Sequence, residues 1–198
     1  MTTLDILPMV IPADDVTGPV QGQWTYAAYA ALPDDGHRYE IIDGVLYMAP
    51  APTLGHQASN ARFARYLLEY VEDAGLGRVF PAPVDVELAP NVVLQPDVVV
   101  VLKANLDILM PERIIGAPDL VVEIASPGTA GYDRRQKQDA YARAGVSEYW
   151  IADPLARTVE VLRLNEGAYR SLGVFTGQAQ LPSAVVPGLP VPVERFFA

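Results

Sequence analysis

Short apolar runs interleaved with two stretches at helical period predict a mixed α/β fold, a β-sheet flanked by helices. Two runs carry the prediction, Gln95-Pro96-Asp97-Val98-Val99-Val100-Val101 and Asp119-Leu120-Val121-Val122-Glu123-Ile124. Each reads as a buried strand with one acid set into it. Hairpin signals near both ends, Asp43-Gly44 and Asn165-Glu166-Gly167, add β-structure outside that centre.

In chain order, residues 1–22 form an irregular arm of mixed Pro, Asp and Gly without periodicity, expected to wrap the surface or reach a neighbour. Trp24 to Leu32 predicts a short helix with Thr25 at its start, closed by Pro33-Asp34-Asp35-Gly36. Tyr39–Ile42 and Val45–Met48 flank Asp43-Gly44, the pair favoured in type I′ turns. A helix from Gly55 to Ala74 places Ala64, Leu67, Leu68 and Val71 on one apolar stripe, and Gly75 ends it. Residues 78–88, interrupted by Pro81 and Pro83, predict a bent edge strand or two short ones. After the two acid-bearing strands, a second helix spans Asp133 to Ala144 and stops at Gly145. Glu148–Asp153 reads as a further strand, and Thr158–Leu164 with Tyr169–Phe175 as a hairpin. The Pro-rich tail, 182–198, carries a short Glu194-Arg195-Phe196-Phe197 anchor.

A length of 198 residues suits one well-buried core, so a single domain over 1–198 is expected. With 51% hydrophobic and 19% charged residues, the composition excludes a disordered chain. No apolar run reaches the ~18 residues that span a bilayer, and Met1–Asp5 lacks the basic and apolar segments of a secretory signal. The absence of cysteine excludes disulfides, thiolate zinc sites and cysteine nucleophiles, and fits a reducing cytoplasm. Twenty-four acids against fourteen bases give a formal net charge of −10, which opposes nonspecific binding of a polyanion. A local basic patch can still act, because salt confines electrostatics to about 8 Å.

The chemistry rests on acids in apolar surroundings. An ionised carboxylate inside a Val-rich strand is costly unless a positive charge or a metal meets it. Asp97 follows Pro96, which cannot join a ladder, so it sits at a strand entrance, where a turn or cap aspartate also fits. Glu123 shares a strand face with Val121 and Ala125; the alternative is a solvent-facing edge glutamate. Lys137 lies on the helical stripe of Ala140, Tyr141 and Ala144, so it faces inward unless it snorkels. Glu40 in the first hairpin and His56 near a helix start suit solvated or cap positions as well as a site. No glycine-rich phosphate loop, His-x-x-x-His pair or Gly-x-Ser-x-Gly elbow occurs. Oxygen-ligand chemistry remains, suited to Mg²⁺ or Mn²⁺.

Tyr39-Glu40-Ile41-Ile42-Asp43-Gly44, Gln95-Pro96-Asp97, Pro118 to Pro127, Tyr141 to Val146 and Glu148 to Pro154 together resemble the Uma2 family of endonucleases, whose fold belongs to the PD-(D/E)xK nuclease superfamily. The resemblance covers nearly the whole chain. It implies a restriction-endonuclease-like sheet, with Asp97 and Glu123 as metal-binding acids. The superfamily's lysine two residues after the glutamate is Ala125 here, so Lys137 is implied as the relocated lysine and Glu40 as an additional acid. A Mg²⁺ or Mn²⁺ ion held by Asp97, Glu123 and the backbone carbonyl of Ile124 would then activate water for phosphodiester hydrolysis. His56, Arg134 and Arg135 are candidate substrate contacts, with a solvated face as the alternative for the arginines. The family's Ser-Pro-Ser-Thr stands here as Ser126-Pro127-Gly128-Thr129, which would loosen that loop.

The leading expectation is a cytoplasmic, homodimeric, metal-dependent DNA endonuclease with no membrane partner. A non-catalytic module that keeps the fold, and a hydrolase of small nucleotide phosphodiesters, are the alternatives.

Overall fold

The computed structural model describes residues 10–126 and 130–197. Strand β1 (Ile11–Pro12) is followed by helix α1 (Tyr26–Tyr29), strands β2 (Arg38–Ile42) and β3 (Val45–Ala49), and helix α2 (Leu54–Leu67). Next come β4 (Gly77–Pro81), β5 (Val86–Ala89), β6 (Val92–Leu94), β7 (Val98–Leu102), a 3-10 segment at Lys103–Ile108, β8 (Ile114–Ile115) and β9 (Leu120–Ile124). Helix α3 (Ala130–Tyr132) continues through a π-helical turn, Asp133–Lys137, into α4 (Gln138–Ala144). Strands β10 (Glu148–Asp153), β11 (Thr158–Asn165) and β12 (Ala168–Thr176) precede a final 3-10 turn, Val193–Phe196.

The mixed α/β architecture is the predicted one, with its strands shared between two six-stranded sheets. The first runs β1-β3-β2-β6-β5-β8 and the second β12-β11-β10-β9-β7-β4. Each joins one parallel pair, β5 with β8 and β9 with β10, to antiparallel neighbours. The two segments on either side of Pro83 form β4 and β5, in different sheets. Strand β6 and the paired strand β1 within the arm are too short for any periodicity to mark them.

Local chemistry fixes the elements. Asp43 and Gly44 have φ of 51° and 75°, the left-handed pair of a type I′ turn. Glycine is required here for a second reason: a Cβ at Gly44 would lie 2.4 Å from the carbonyl oxygen of Gly22, where the arm crosses the hairpin. Thr53 caps α2 by accepting from the His56 N–H at 3.2 Å. A π-helical turn, Leu68–Asp73, prolongs α2. Ala64, Leu67 and Val71 are buried, but Leu68, still bonded back to the Ala64 carbonyl in α-helical register, lies at the edge of the stripe and is 37% exposed.

The second sheet is covered on both faces, which is why its central strands read as unbroken valine runs. On one face Phe63, Leu67 and Val71 of α2 and its extension meet Val98, Val100, Leu120, Val122 and Ile124. On the other, Ala140 and Tyr141 of α4 pack with Val121, Tyr149 and Ile151, and with Ile42 and Leu94 of the first sheet. The tail closes the first of these layers. Glu148, 1% exposed, accepts from Trp150 Nε1 at 3.2 Å and Ser183 Oγ at 2.7 Å. Phe196 stacks on Phe63 with ring centroids 4.1 Å apart. Among the described residues, no helix is long and apolar enough to cross a membrane.

Because Phe196 is wholly buried, Phe196→Ala should lower the free energy of unfolding by about 3–5 kcal/mol. Urea denaturation measures this; a loss below about 1 kcal/mol would mean that the tail does not belong to the core.

Candidate active site

The site forms where the chain passes from the first sheet to the second. β6 ends at Leu94 and β7 begins at Val98, so Gln95-Pro96-Asp97 is the crossing. Pro96 has no N–H to extend either ladder. Asp97 enters β7 with 4% exposure, and its Oδ2 accepts from the Ile124 N–H at 2.7 Å. His56 Nε2 lies 3.2 Å from the same oxygen. The imidazole of His56 reaches there from the first turn of α2, with Nδ1 buried and without a hydrogen-bond partner among the described residues.

Glu123 is the fourth residue of β9 and is 4% exposed. Its Oε1 accepts from Lys137 Nζ at 2.9 Å and from the Tyr141 hydroxyl at 2.7 Å. Lys137 ends the π-helical turn and Tyr141 stands one helical turn later, so both donors share one face. Burial, reinforced by the Glu123 charge, pushes the Tyr141 hydroxyl well above its ordinary range. It therefore remains a neutral donor at working pH.

Glu40 arrives from the first sheet. Alternation along β2 turns Tyr39 and Ile41 into the cluster around Trp24, and sets Arg38 and Glu40 on the opposite face. Glu40 is 3% exposed; its Oε1 accepts from the Gln95 N–H at 2.9 Å and forms an ion pair with Lys137 Nζ at 2.8 Å. Lys137 thus joins carboxylates from both sheets, and lies 5.7 Å from the Tyr132 ring centre.

Glu40, Asp97, Glu123, Lys137, His56 and Ile124 line one cleft, together with Arg38, Ser126, Tyr132 and the Ala49–Pro52 segment. The space between them is about 40 Å³, room for an ion and its water. A nucleic-acid chain would have to lie across the mouth. Arg134 pairs with Glu160 of β11, and Arg135 is exposed; neither lines the cleft. The 127–129 part of the loop expected to be loosened lies outside the described residues.

Among the described residues, no group of three or more from His, Cys, Asp and Glu is arranged as a metal nest. Lys137 stands between Glu40 and Glu123, and Asp97 is turned toward Ile124 N–H. The donor chemistry nevertheless fits a hard divalent cation. Three buried carboxylates and one buried ammonium line the same cleft, and neither Asp97 Oδ1 nor Glu40 Oε2 accepts a hydrogen bond from a described residue. Oxygen ligands with excess negative charge are what such an ion requires.

Sequence reasoning missed Arg38, Gln95 and the Tyr141 hydroxyl as parts of the site. Each had a signal: Arg38 is two residues before Glu40, Gln95 two before Asp97, and Tyr141 four after Lys137.

A family model described as "Uma2: Putative restriction endonuclease" matches residues 26–194. No curated protein matches the chain. Among solved structures, a "putative nuclease belonging to DUF820" from Anabaena variabilis superposes with a TM-score of 0.74 at 22% identity, over 88% of this chain and 97% of that one. That likeness supports the restriction-endonuclease-like fold.

Lys137→Met should cost about 3–5 kcal/mol in metal-free protein, because it leaves buried carboxylates without their cation. A second change, Glu40→Gln, should recover part of the loss in a double-mutant cycle of chemical denaturation. Independent, additive losses would show that the ammonium does not couple to Glu40.

Proposed function

The chain belongs to the Uma2 family of restriction-endonuclease-like proteins, and on that premise we propose that it is a metal-dependent endonuclease that hydrolyses phosphodiester bonds in DNA. The meeting of Asp97 with the Glu40–Lys137–Glu123 cluster in one cleft carries this reading. Asp97, Glu123 and the Ile124 carbonyl would hold Mg²⁺ or Mn²⁺, with Glu40 alongside; the ion would supply a polarised phosphoryl oxygen and a more acidic water.

The chain's own groups do the remaining work. The Ile124 N–H and the His56 ring fix the Asp97 carboxylate through Oδ2, which leaves Oδ1 for the cleft. Tyr141 holds the Glu123 carboxylate through Oε1. Lys137, held at 2.8 and 2.9 Å from two carboxylates, can orient the attacking water and offset charge developing on the phosphate. Cleavage of both strands calls for two such sites, so the proposed working unit is a homodimer. A cysteine-free chain suits a cytoplasmic setting.

At a concentration 100 times its Kd, a bound ion adds about 2.7 kcal/mol, or roughly 5 to 10 °C of melting temperature for a domain of this size. Mn²⁺ should raise the melting point of the parent and not that of Asp97→Ala or Glu123→Ala; an equal rise in all three would eliminate the site. Lys137→Ala should keep most of the metal-dependent rise and lose cleavage of supercoiled plasmid. Turnover of small phosphodiesters with the plasmid left intact would move the substrate to nucleotides.

A further inference from the structure

We infer that Arg38 forms a preset phosphate subsite beside the carboxylates, engaging the phosphodiester next to the one attacked. This inference rests on the nuclease reading above and names a substrate contact for the same cleft. Arg38 Nε donates to Gln95 Oε1 at 3.2 Å, and Arg38 Nη2 donates to the Gln95 carbonyl at 3.0 Å. Neither acceptor is charged, and Arg38 forms no salt bridge with a described residue. Arg78, Arg113, Arg134, Arg143 and Arg163 each meet a carboxylate.

Gln95 is itself fixed. Its N–H donates to Glu40 Oε1 at 2.9 Å, and its side-chain nitrogen donates to Asp85 Oδ1 at 2.8 Å and Tyr29 Oη at 3.0 Å. Those donations orient the amide so that Oε1 faces the guanidinium. The opposite orientation would set an NH₂ group against Arg38 and a carbonyl against Asp85. Burial and the Asp85 charge push the Tyr29 hydroxyl up, so it remains a neutral donor to that carboxylate at 3.0 Å. The guanidinium thus sits half-buried on a rigid support, with two of its donors used and the others left over.

Position and chemistry both suit a phosphate. Arg38 and Glu40 lie two residues apart on one face of β2, about 7 Å along the strand, the scale on which successive phosphates follow each other in one nucleic-acid strand. A planar fork held in advance matches phosphate oxygens and loses little entropy when it binds. A cation at the mouth is also what a polyanion needs beside three buried carboxylates.

The test follows anisotropy of a short fluorescein-labelled DNA duplex across a salt series, with Mg²⁺ present and in the Glu123→Gln background so that no substrate is consumed. Arg38→Ala should weaken binding about tenfold and reduce the slope of log affinity against log salt by about 1. Arg38→Lys should keep the slope and recover only part of the affinity, because it restores charge without the fork. Arg134→Ala and Arg135→Ala should each change binding less. Arg38→Ala with unchanged affinity and slope would overturn the subsite, as would a duplex that does not bind at all. The Mn²⁺-dependent rise in melting temperature, measured on the Arg38 variants with Glu123 restored, separates the two readings. If the rise persists while DNA binding ignores Arg38, only the subsite falls; if the parent shows neither the rise nor DNA binding, both fall.

Discussion

The buried ammonium of Lys137 is the charge around which the remaining site is arranged. Glu40 belongs to the first sheet and Glu123 to the second, and one nitrogen lies within 2.9 Å of both. Removing these acids from water costs several kcal/mol for each ion, and the geometry must return it through close pairing and extra hydrogen bonds. The Tyr141 hydroxyl on Glu123 and the Gln95 N–H on Glu40 supply those bonds. Because Lys137 and Tyr141 share a helix face, the helical segment is held to both sheets by the same contacts that satisfy the acids.

A seam between sheets is a productive place for such a cluster. Backbone groups at a sheet's end have no ladder partner and are free to bind side chains. Gln95 N–H and Ile124 N–H both do so, one to Glu40 and one to Asp97. Pro96 lets the chain leave one ladder and enter the other without stranding a donor. The cleft therefore arises from the crossover itself, and its acids are held by rigid strand ends. Asp119 shows the structural counterpart of this device. At the other end of β9 it accepts from Leu102 N–H and from Asn105, forms no salt bridge with a described residue, and acts as a cap.

What the sequence made legible follows the range over which the deciding interactions act. The Asp43-Gly44 turn, the glycine stop at Gly145 and the valine runs of β7 and β9 are set by neighbours, so their pattern suffices. Glu123 and Lys137 could be placed on inward faces because strand and helix periods act within each element. The division into two sheets was not legible, since β4 and β5 differ in sheet through pairings with remote strands. Leu68 is half-exposed although its helical register with Ala64 is kept, because which edge of a stripe is covered depends on the remote strands packed against it. Arg38 escaped notice for a related reason: its partner Gln95 is 57 positions away, and an arginine beside an acid in a hairpin reads first as a surface ion pair.

The net charge of −10 repels a polyanion at long range. Its force depends on distance. Screening limits the field to about 8 Å, so a seated polymer responds to the mouth of the cleft rather than to the sum over the chain. The three acids there lie behind a surface that includes Arg38, and Lys137 is already among them. Any divalent ion would reduce the excess further, because oxygen ligands bind it through the negative charge that disfavours a polyanion. On the proposed nuclease reading, the acidity of the remaining surface would act mainly on encounter, slowing approach of a polyanion and suppressing contact away from the cleft. On that reading, the arrangement would restrict hydrolysis to strands whose phosphates reach the ion and the guanidinium together.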